Sequence, residues 1–296
     1  MSLVINHNMM AMSAARNLGT AYNNLSTSVN RLSSGLRVTS AADDAAGLAI
    51  RELMRAEIAA MNQGVRNAND AISLIQTADG ALGVIDEKLI RMKELAEQAA
   101  TGTYSSDQRL MIESEYQAMA SEITRIASST DFNGVHLLNG NLSSEDHDGS
   151  GLVSKGKLKV HFGPENDCSE DYYYIKIGNA TASALGVGNE GPTTNDAYTV
   201  STQSRAQAAL EGIKDAITSK DKIRANLGAM QNRLENTISN LQVQAENLQA
   251  AESRISDVDV SLEMTEFVRN QILTQAAVAM LSQANSLPQI ALSLMG

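Results

Sequence analysis

The chain has 296 residues, a formal net charge of −11 and 43% hydrophobic residues, with no tryptophan, three phenylalanines and 13 methionines. This apolar content is sufficient for a large core, and the acidic balance argues against a nucleic-acid binder, which normally carries a basic stripe. The apolar residues are mostly alanine, leucine, isoleucine, valine and methionine, a combination that suits helices. Proline, which breaks helix interiors, is absent before Pro164. The composition therefore predicts a mainly α protein.

The two ends of the chain are poor in charge. Residues 1–42 contain no acidic residue, and residues 270–296 contain no charged side chain. Both ends are therefore predicted to be buried against another surface. We do not expect membrane insertion, because polar residues interrupt the apolar ones and no run approaches the ~18 residues of a spanning helix. We also expect no secretory signal peptide, and the single Cys168 excludes an intramolecular disulfide.

Four segments carry apolar residues at heptad spacing. Their seams run from Leu18 through Tyr22, Leu25, Val29 and Leu32 to Leu36, from Met61 to Ala96 with a slip of one residue, from Ile112 to Ile126, and from Leu227 to Val258. Such seams bury themselves against other helices. We expect the arms from the two chain ends to pair. The predicted fold is a mainly α, elongated antiparallel helical bundle or coiled coil, with one helix over about 45–99 that is roughly 80 Å long.

Three breaks interrupt the helices. Ser105 and Gln108 have the spacing of a capping box that opens the third helix. Asn-Gly pairs in "TDFNGVHLLNG" (130–140) end the N-terminal helical half. Alternation on both sides of a Gly-Pro turn in "KLKVHFGPENDCSEDYYYIKIG" (157–178) then predicts a small β-hairpin insertion.

Asp43 and Asp44 are adjacent carboxylates in "RVTSAADDAAGLAIRE" (37–52). A metal or acid–base site would need further ligands, and no histidine or cysteine is close in sequence. Thr39 and Ser40 can cap a helix, and aspartates are favoured in a first helical turn. We therefore expect this pair to mark where one helical system ends and the next begins.

No pattern in the sequence supports an enzyme, a metal or a cofactor. The histidines are scattered, without ligand spacing, at positions 7, 136, 147 and 161. Gly186 and Gly188 lack the third glycine and the strand–helix context of a dinucleotide loop. No nucleophile motif of the G-x-S-x-G type is present.

Several motifs closely resemble the bacterial flagellins, the filament subunits of the flagellum. They are "INHNMMAMSAARNL", "LSSGLRVTSAADDAAGLAI", "RNANDAISLIQTADGAL", "DFNGVHLL", "NLGAMQNRL" and "QANSLPQIALSLMG". The resemblance covers about residues 1–140 and 205–296 and is specific, because motifs agree at both ends. The short central segment matches only the core hairpin, so the variable outer domains of many flagellins are absent.

The resemblance implies terminal helices, about 1–40 and 256–296, that form an axial inner core and are disordered in the free monomer. A helical rod would span 41–255 and include the β-hairpin region, about 141–200. Asp43 and Asp44 would then lie at the junction of inner core and rod. The protein would be secreted through the flagellar type III export channel and polymerise into the extracellular filament that drives motility. Two alternatives are a hook–filament junction protein of the same family and an intracellular coiled-coil scaffold.

The resemblance also implies partners. These are copies of the same chain, an export chaperone at the C-terminal segment, the hook-associated and cap proteins, and the mammalian Toll-like receptor for flagellin, which serves innate immune recognition. Arg91, Leu95 and Gln98 lie at i, i+4 and i+7 on a stripe offset from the seam at Leu89, Met92, Ala96 and Ala99. The family's subunit and receptor interface carries over as Arg91, Leu95, Gln98, Glu115, Ile213 and Ile217.

Overall fold

The structure is a computed structural model that describes residues 7–148, 155–167, 170–188 and 199–295. Its helices are α1 (Met9–Ser34), α2 (Ala45–Ala100), α3 (Ser106–Ser129), α4 (Ala182–Leu185), α5 (Gln203–Ser256) and α6 (Val260–Met295). Its strands are β1 (Asp131–Phe132), β2 (Val135–His136), β3 (His147–Asp148), β4 (Lys155–Gly156), β5 (Leu158–His161) and β6 (Tyr172–Ile175). The predicted mainly α class with a small β insertion is confirmed. None of the described helices is long and apolar enough to cross a membrane.

The chain divides into two compact units. Met1–Ile58 with Glu246–Gly296 forms one, called here the terminal unit, and Ala59–Ala245 forms the other, called the central unit. The terminal unit is built on α1 and α6, which pack against each other along their lengths. The central unit contains the main hydrophobic core.

In the terminal unit, α1 and α6 are antiparallel. The Asn8 side-chain amide donates to the backbone oxygen of Ala284 at 2.7 Å, and Arg31 faces Glu263 at the other end. A single β-bridge, Leu36 with Asp257, follows the ends of α1 and α5. The two ends of the chain thus pair, through α1 and α6. The C-terminal heptad arm that was predicted to pair, Leu227 to Val258, lies mainly on α5 instead.

The predicted seam of α1 is only half right. Leu25 is partly buried as expected, but Tyr22 and Val29 are exposed. Ala21 and Ser28, one position earlier in each case, are buried in their place. A heptad pattern allows spacings of both three and four residues. Because Ala21 and Ser28 have small side chains, they permit close approach of α6, and the larger residues are left on the outer face.

Ion pairs define the direction of α5 against α2 in the central unit. The Asp79 carboxylate accepts from Arg224 Nε at 2.7 Å, and Asp86 Oδ1 accepts from Lys220 Nζ at 2.5 Å. From the first pair to the second, the residue number rises from 79 to 86 on α2 and falls from 224 to 220 on α5, so the two helices are antiparallel. The buried side of α2 between these pairs is fully apolar, with Leu82 at its centre.

Helix α3 turns back along α2. Its capping box is present as predicted: the Ser105 backbone N–H donates to Gln108 Oε1 at 2.9 Å, and the Gln108 N–H donates to Ser105 Oγ. Arg109 Nε donates to the backbone oxygen of Ala99 at 3.0 Å, across the turn. The α2 helix is therefore covered on two sides, by α3 and by α5.

The hairpin predicted in 157–178 is confirmed as β5 and β6, in register with Val160 opposite Tyr173. Its two faces differ as the alternation indicates. Lys159 stacks over the Tyr172 ring on one face, 3.6 Å from the centroid, whereas Val160 and Ile175 are buried on the other. Cys168 lies outside the described residues.

A second hairpin was not predicted. Strands β1 and β2 pair with Phe132 opposite Val135, so that Asn133 and Gly134 form a two-residue loop. Both loop residues have positive φ, 51° and 81°, as a type I′ turn requires. The Asn-Gly pair was a sufficient signal for this hairpin, but the strands are too short to show alternation. Strands β3 and β4 form a further short antiparallel pair.

Candidate subunit interfaces

The two adjacent aspartates of the terminal unit organise the start of α2. Asp44 Oδ1 accepts from the Gly47 backbone N–H at 2.9 Å, and the Asp44 backbone oxygen accepts from Leu48, so Asp44 is the N-cap. The prediction that the pair begins a helix is confirmed. The predicted caps, Thr39 and Ser40, were wrong: they bind Asp43 instead of the helix terminus.

Asp43 closes the loop that precedes α2. Its Oδ2 accepts from the backbone N–H and the hydroxyl of both Thr39 and Ser40, at 3.0 to 3.2 Å. These bonds stabilise the ionised carboxylate and lower the pKa of Asp43 below its usual 3.8. The largest cause is the hydrogen bond from the Thr39 hydroxyl. All of the hydrogen-bonding capacity of this oxygen is used within the loop. Among the described residues, no group of three or more potential ligands could hold a metal ion.

Arg91 is the first residue of the predicted interface stripe on α2. Its Nη2 donates to Glu115 Oε1 on α3 at 2.8 Å, and its Nη1 donates to Glu94 Oε2 at 2.9 Å. These contacts raise the pKa of Arg91 above its usual range, and the hydrogen bond to Glu115 is the largest cause. All three side chains remain exposed to solvent. The guanidinium is thus held in a fixed position by two carboxylates while part of it stays accessible.

Leu95 does not lie on an exposed stripe. Only 1% of its surface is accessible, and it belongs to the same core as Met92 and Ala96. The prediction that Leu95 is offset from the buried seam was therefore wrong. Because α2 is covered by both α3 and α5, its buried arc is wider than one heptad seam and includes the neighbouring position.

The other predicted interface residues are divided between surface and core. Gln98 is exposed, and its amide donates to the Tyr104 hydroxyl at 3.1 Å. Ile213 on α5 is buried, and Ile217 is partly buried. The structure thus brings Arg91 and Glu115 into direct contact and leaves them accessible, as is Gln98, while Leu95 and Ile213 belong to the buried core.

A larger apolar surface lies in the terminal unit. The described chain has 21 exposed large hydrophobic residues, of which 16 belong to this unit. On the first part of the chain they are Met9, Met10, Met12, Tyr22, Val29, Ile50 and Leu53, and on α6 they are Val260, Leu262, Met264, Val268, Ile272, Leu273, Val278, Met280 and Ile290. Monomeric proteins rarely expose so many large apolar side chains in one region, and such a concentration marks an interaction site. The sequence did not identify these residues one by one as interface residues, although the low charge of both chain ends predicted that the ends are buried against another surface.

A groove runs between α1 and α6 on this surface. It has a volume of about 730 Å³ and is lined by residues from the N-terminal half of α1 and the middle of α6. Its walls combine methionine, alanine and leucine side chains with a few amides, including the buried Asn270. The lining of the groove is mostly apolar and suits an apolar side chain or segment.

Family models match most of the chain. The model described as the bacterial flagellin N-terminal helical region matches residues 5–143, and the one described as the bacterial flagellin C-terminal helical region matches residues 210–295. These two segments include the two groove helices and both of the aspartates that precede α2.

Curated relatives match along their whole length. The chain is 42% identical over 293 residues to a flagellar filament 33 kDa core protein of Treponema phagedenis, which covers 99% of this chain and 100% of the relative. It is 41% identical to a flagellin of Halalkalibacterium halodurans, with the same coverage. It is also 40% identical to the flagellin of Bacillus subtilis, over 98% of this chain and 99% of the relative.

Two solved structures also match part of the chain. The crystal structure of Bacillus cereus flagellin is 30% identical and covers 63% of this chain and 94% of that one, with a TM-score of 0.45. A putative flagellar hook-associated protein from Vibrio parahaemolyticus covers 73% of this chain and 100% of that one at a TM-score of 0.54. Its identity is 15%, so this likeness concerns the fold alone.

Proposed function

Because this chain belongs to the bacterial flagellin family, we propose that it is the structural subunit of a flagellar filament and assembles through the exposed apolar faces of α1 and α6. The observation that carries the proposal is the concentration of exposed apolar side chains in the terminal unit. In water this surface is unfavourable, and burial of apolar area is the main driving force of protein association. Copies of the same chain provide the matching surface. The resulting filament lies outside the cell.

The contact between subunits is heterologous and does not close. Residues of α1 and α6 differ, so a groove on one copy that receives a helix from another copy leaves each end of the assembly open. Such contacts give filaments, whereas a two-fold contact gives a closed dimer. Removal of residues 287–296 is expected to abolish polymerisation while the central unit stays helical by circular dichroism.

Substitution of one exposed apolar residue tests the assembly surface. Ile272 is exposed on α6, so Ile272→Asp should change the stability of the monomer by no more than ~0.5 kcal/mol. In the assembled state the same carboxylate would be buried without a partner. We expect the variant to form no filaments after seeding, as measured by light scattering and electron microscopy. The matched Ile272→Val variant should assemble normally, and filaments of normal length from Ile272→Asp would exclude this surface as the contact.

The terminal helices become stably ordered only on assembly. Residues 1–40 and 256–296 form the inner core in this proposal, and residues 41–255 form the surrounding part of the subunit. Ala21 and Ser28 are the buried residues of the described α1 helix, so the helix pair alone shields little apolar surface. Limited proteolysis of dilute monomer should remove both ends and leave a resistant central fragment. Ends as resistant as that fragment would contradict the proposal.

Further partners follow from the family. We place the export chaperone on the C-terminal segment, with secretion through the flagellar type III channel, and the cap and hook-associated proteins at the ends of the filament. The Toll-like receptor for flagellin would bind the surface around Arg91, Gln98 and Glu115, with Leu95, Ile213 and Ile217 holding it in shape. The exposed guanidinium, fixed by two carboxylates, supports this because a preorganised arginine suits the centre of an interface.

Receptor recognition can be separated from stability. Gln98→Ala and Arg91→Ala remove exposed groups, so receptor signalling by the monomer should fall while its unfolding transition stays unchanged within about 1 kcal/mol. Lys93→Ala, at an exposed position of the same helix, provides the control. Full signalling by an Arg91→Ala, Gln98→Ala double variant would show that the receptor binds elsewhere.

The family alternative, a hook–filament junction protein, is less well supported. The relatives that match the whole chain are named flagellins and filament core proteins. The hook-associated neighbour shares the fold at low identity.

A further inference from the structure

Three methionines line the groove between α1 and α6. Met9 and Met10 come from the first turn of α1, and Met280 comes from α6. Their accessible fractions are 65%, 49% and 61%, so these residues are largely open to solvent in the free chain. We propose that these three side chains form a peroxide-sensitive modification site, and that oxidation of their sulfur atoms prevents the subunit from joining the filament. The inference rests on the proposed assembly through this surface.

The reaction is a two-electron oxidation by hydrogen peroxide. A lone pair of the thioether sulfur attacks one peroxide oxygen, the O–O bond breaks, and the second oxygen leaves as water after proton transfer. The sulfur becomes a sulfoxide while the peroxide is reduced, so one peroxide yields one sulfoxide and one water. Methionine sulfoxide reductases reverse the change. No group of the protein has to act as a catalyst, and accessibility alone selects the sulfur atoms.

Oxidation affects assembly more than folding because of where the oxygen is placed. A sulfoxide is a polar acceptor, and in the free chain the exposed Met9, Met10 and Met280 can bind water through it. Once a second copy fills the groove, that water is displaced and the oxygen faces apolar side chains such as Leu273 and Ala277. Burial of a polar group without a hydrogen bond is unfavourable. The free monomer therefore tolerates the oxygen, and the assembled state does not.

Three of the other described methionines provide internal controls. Met92 is fully buried and Met61 is nearly so, which should protect both from peroxide in the folded chain. Met111, on α3, is 73% exposed but does not line the groove. It should react as readily as the groove methionines without the same effect on assembly. Oxidation as such can thus be distinguished from oxidation within the groove.

The test uses the full chain with Cys168→Ser, so that thiol oxidation does not interfere. Monomer is treated with hydrogen peroxide, sulfoxides are located by mass spectrometry, and the critical concentration for seeded assembly is measured. We expect oxidised monomer to require at least about tenfold more protein, because unpaired polar burial weakens association. Treatment with methionine sulfoxide reductases should restore assembly. In preformed filaments Met9, Met10 and Met280 should react at least several-fold more slowly.

Substitution identifies the responsible sulfur atoms. A Met9→Leu, Met10→Leu, Met280→Leu variant should assemble normally, since leucine conserves apolar volume, and peroxide should raise its critical concentration far less than that of the parent chain. Met111→Leu should remain as sensitive as the parent chain. An unchanged critical concentration after oxidation of all three groove methionines would overturn the inference, as would undiminished sensitivity of the triple variant. If untreated chain fails to assemble, the proposed function itself is wrong.

Discussion

Lys220 and Asp86 form a nearly buried ion pair between α5 and α2. The lysine Nζ lies 2.5 Å from Asp86 Oδ1 and 2.8 Å from Asp221 Oδ1, and the lysine side chain is 2% exposed. Arg224 and Asp79 form a second pair, which lies one turn further along α5 and about two turns back along α2. Buried pairs contribute little net stability compared with apolar residues, but they specify which residues must face each other. We interpret these pairs as fixing the register of the two helices.

Removal of one partner of the buried pair should be costly. Asp86→Asn leaves the Lys220 ammonium with only Asp221, which is more exposed. We expect the free energy of unfolding to fall by about 1–3 kcal/mol, less than for a fully isolated buried charge because the second carboxylate remains. Urea unfolding of the monomer, followed by circular dichroism, measures the change.

Replacement of the charge itself should be better tolerated. Lys220→Met in combination with Asp86→Leu should lose less than ~1 kcal/mol relative to the parent, because a well-packed apolar pair can replace an ion pair. The exposed neighbour Lys222 provides the control, and Lys222→Met should be neutral. A double variant less stable than Asp86→Asn would show that the pair contributes stability and not only register.

Arg91 and Leu95 are neighbours on one stripe of α2, but Leu95 is buried and Arg91 is exposed. Their substitutions should therefore differ in their effect on stability. Leu95→Ala removes a core side chain and should destabilise the monomer by about 2–5 kcal/mol. Arg91→Ala removes an exposed ion pair and should cost at most ~1 kcal/mol. Thermal unfolding of the two variants compares them directly. A cost below ~1 kcal/mol for Leu95→Ala would contradict the burial of this residue.

Two glycines of α2 should respond in opposite directions to the same substitution. A Cβ on Gly64 would lie 1.8 Å from the backbone oxygen of Phe162, whereas one on Gly83 would meet nothing within 4 Å. Gly64→Ala should therefore displace the β5–β6 hairpin and destabilise the chain by about 1–3 kcal/mol. Gly83→Ala should stabilise it by roughly 0.5–1 kcal/mol through the better helix propensity of alanine. Equal effects of the two changes would exclude the close contact.

The stability of the loop before α2 should depend on pH in the acidic range, because Asp43 stabilises it only when its carboxyl group is ionised. The folded-state pKa of Asp43 is lowered below 3.8, so the unfolded state binds its proton more readily. The contribution of Asp43 is then complete above the ordinary aspartate pKa and is lost as the pH falls through the lower folded value. A carbon-13 NMR titration of the carboxyl group should show this lowered pKa. It should return towards 3.8 in a Thr39→Ala, Ser40→Ala variant and stay low in the control Ser33→Ala.

The sequence by itself determined the secondary structure of most of the chain. The absence of proline and the heptad spacing predicted α2 almost to its observed ends, Ala45 and Ala100. The Ser105 capping box located the start of α3, and alternation located the β5–β6 hairpin. These features depend on local backbone propensity and on hydrogen bonds between residues close in sequence, so the residue order is enough to specify them. The motifs at both chain ends determined the family for the same reason.

Only the tertiary structure decided which side chains each helix buries. A spacing of three and four residues fits two neighbouring stripes of a helix about equally well, so Leu95 and Tyr22 could each have been core or surface. Leu95 is buried because α2 is covered by both α3 and α5, and Tyr22 is exposed because the small Ala21 lets α6 approach beside it. Likewise, nothing local pairs Lys220 with Asp86, which lie 134 residues apart. Burial and register depend on how many neighbours cover a helix and how closely they approach, and these are set by contacts between distant segments.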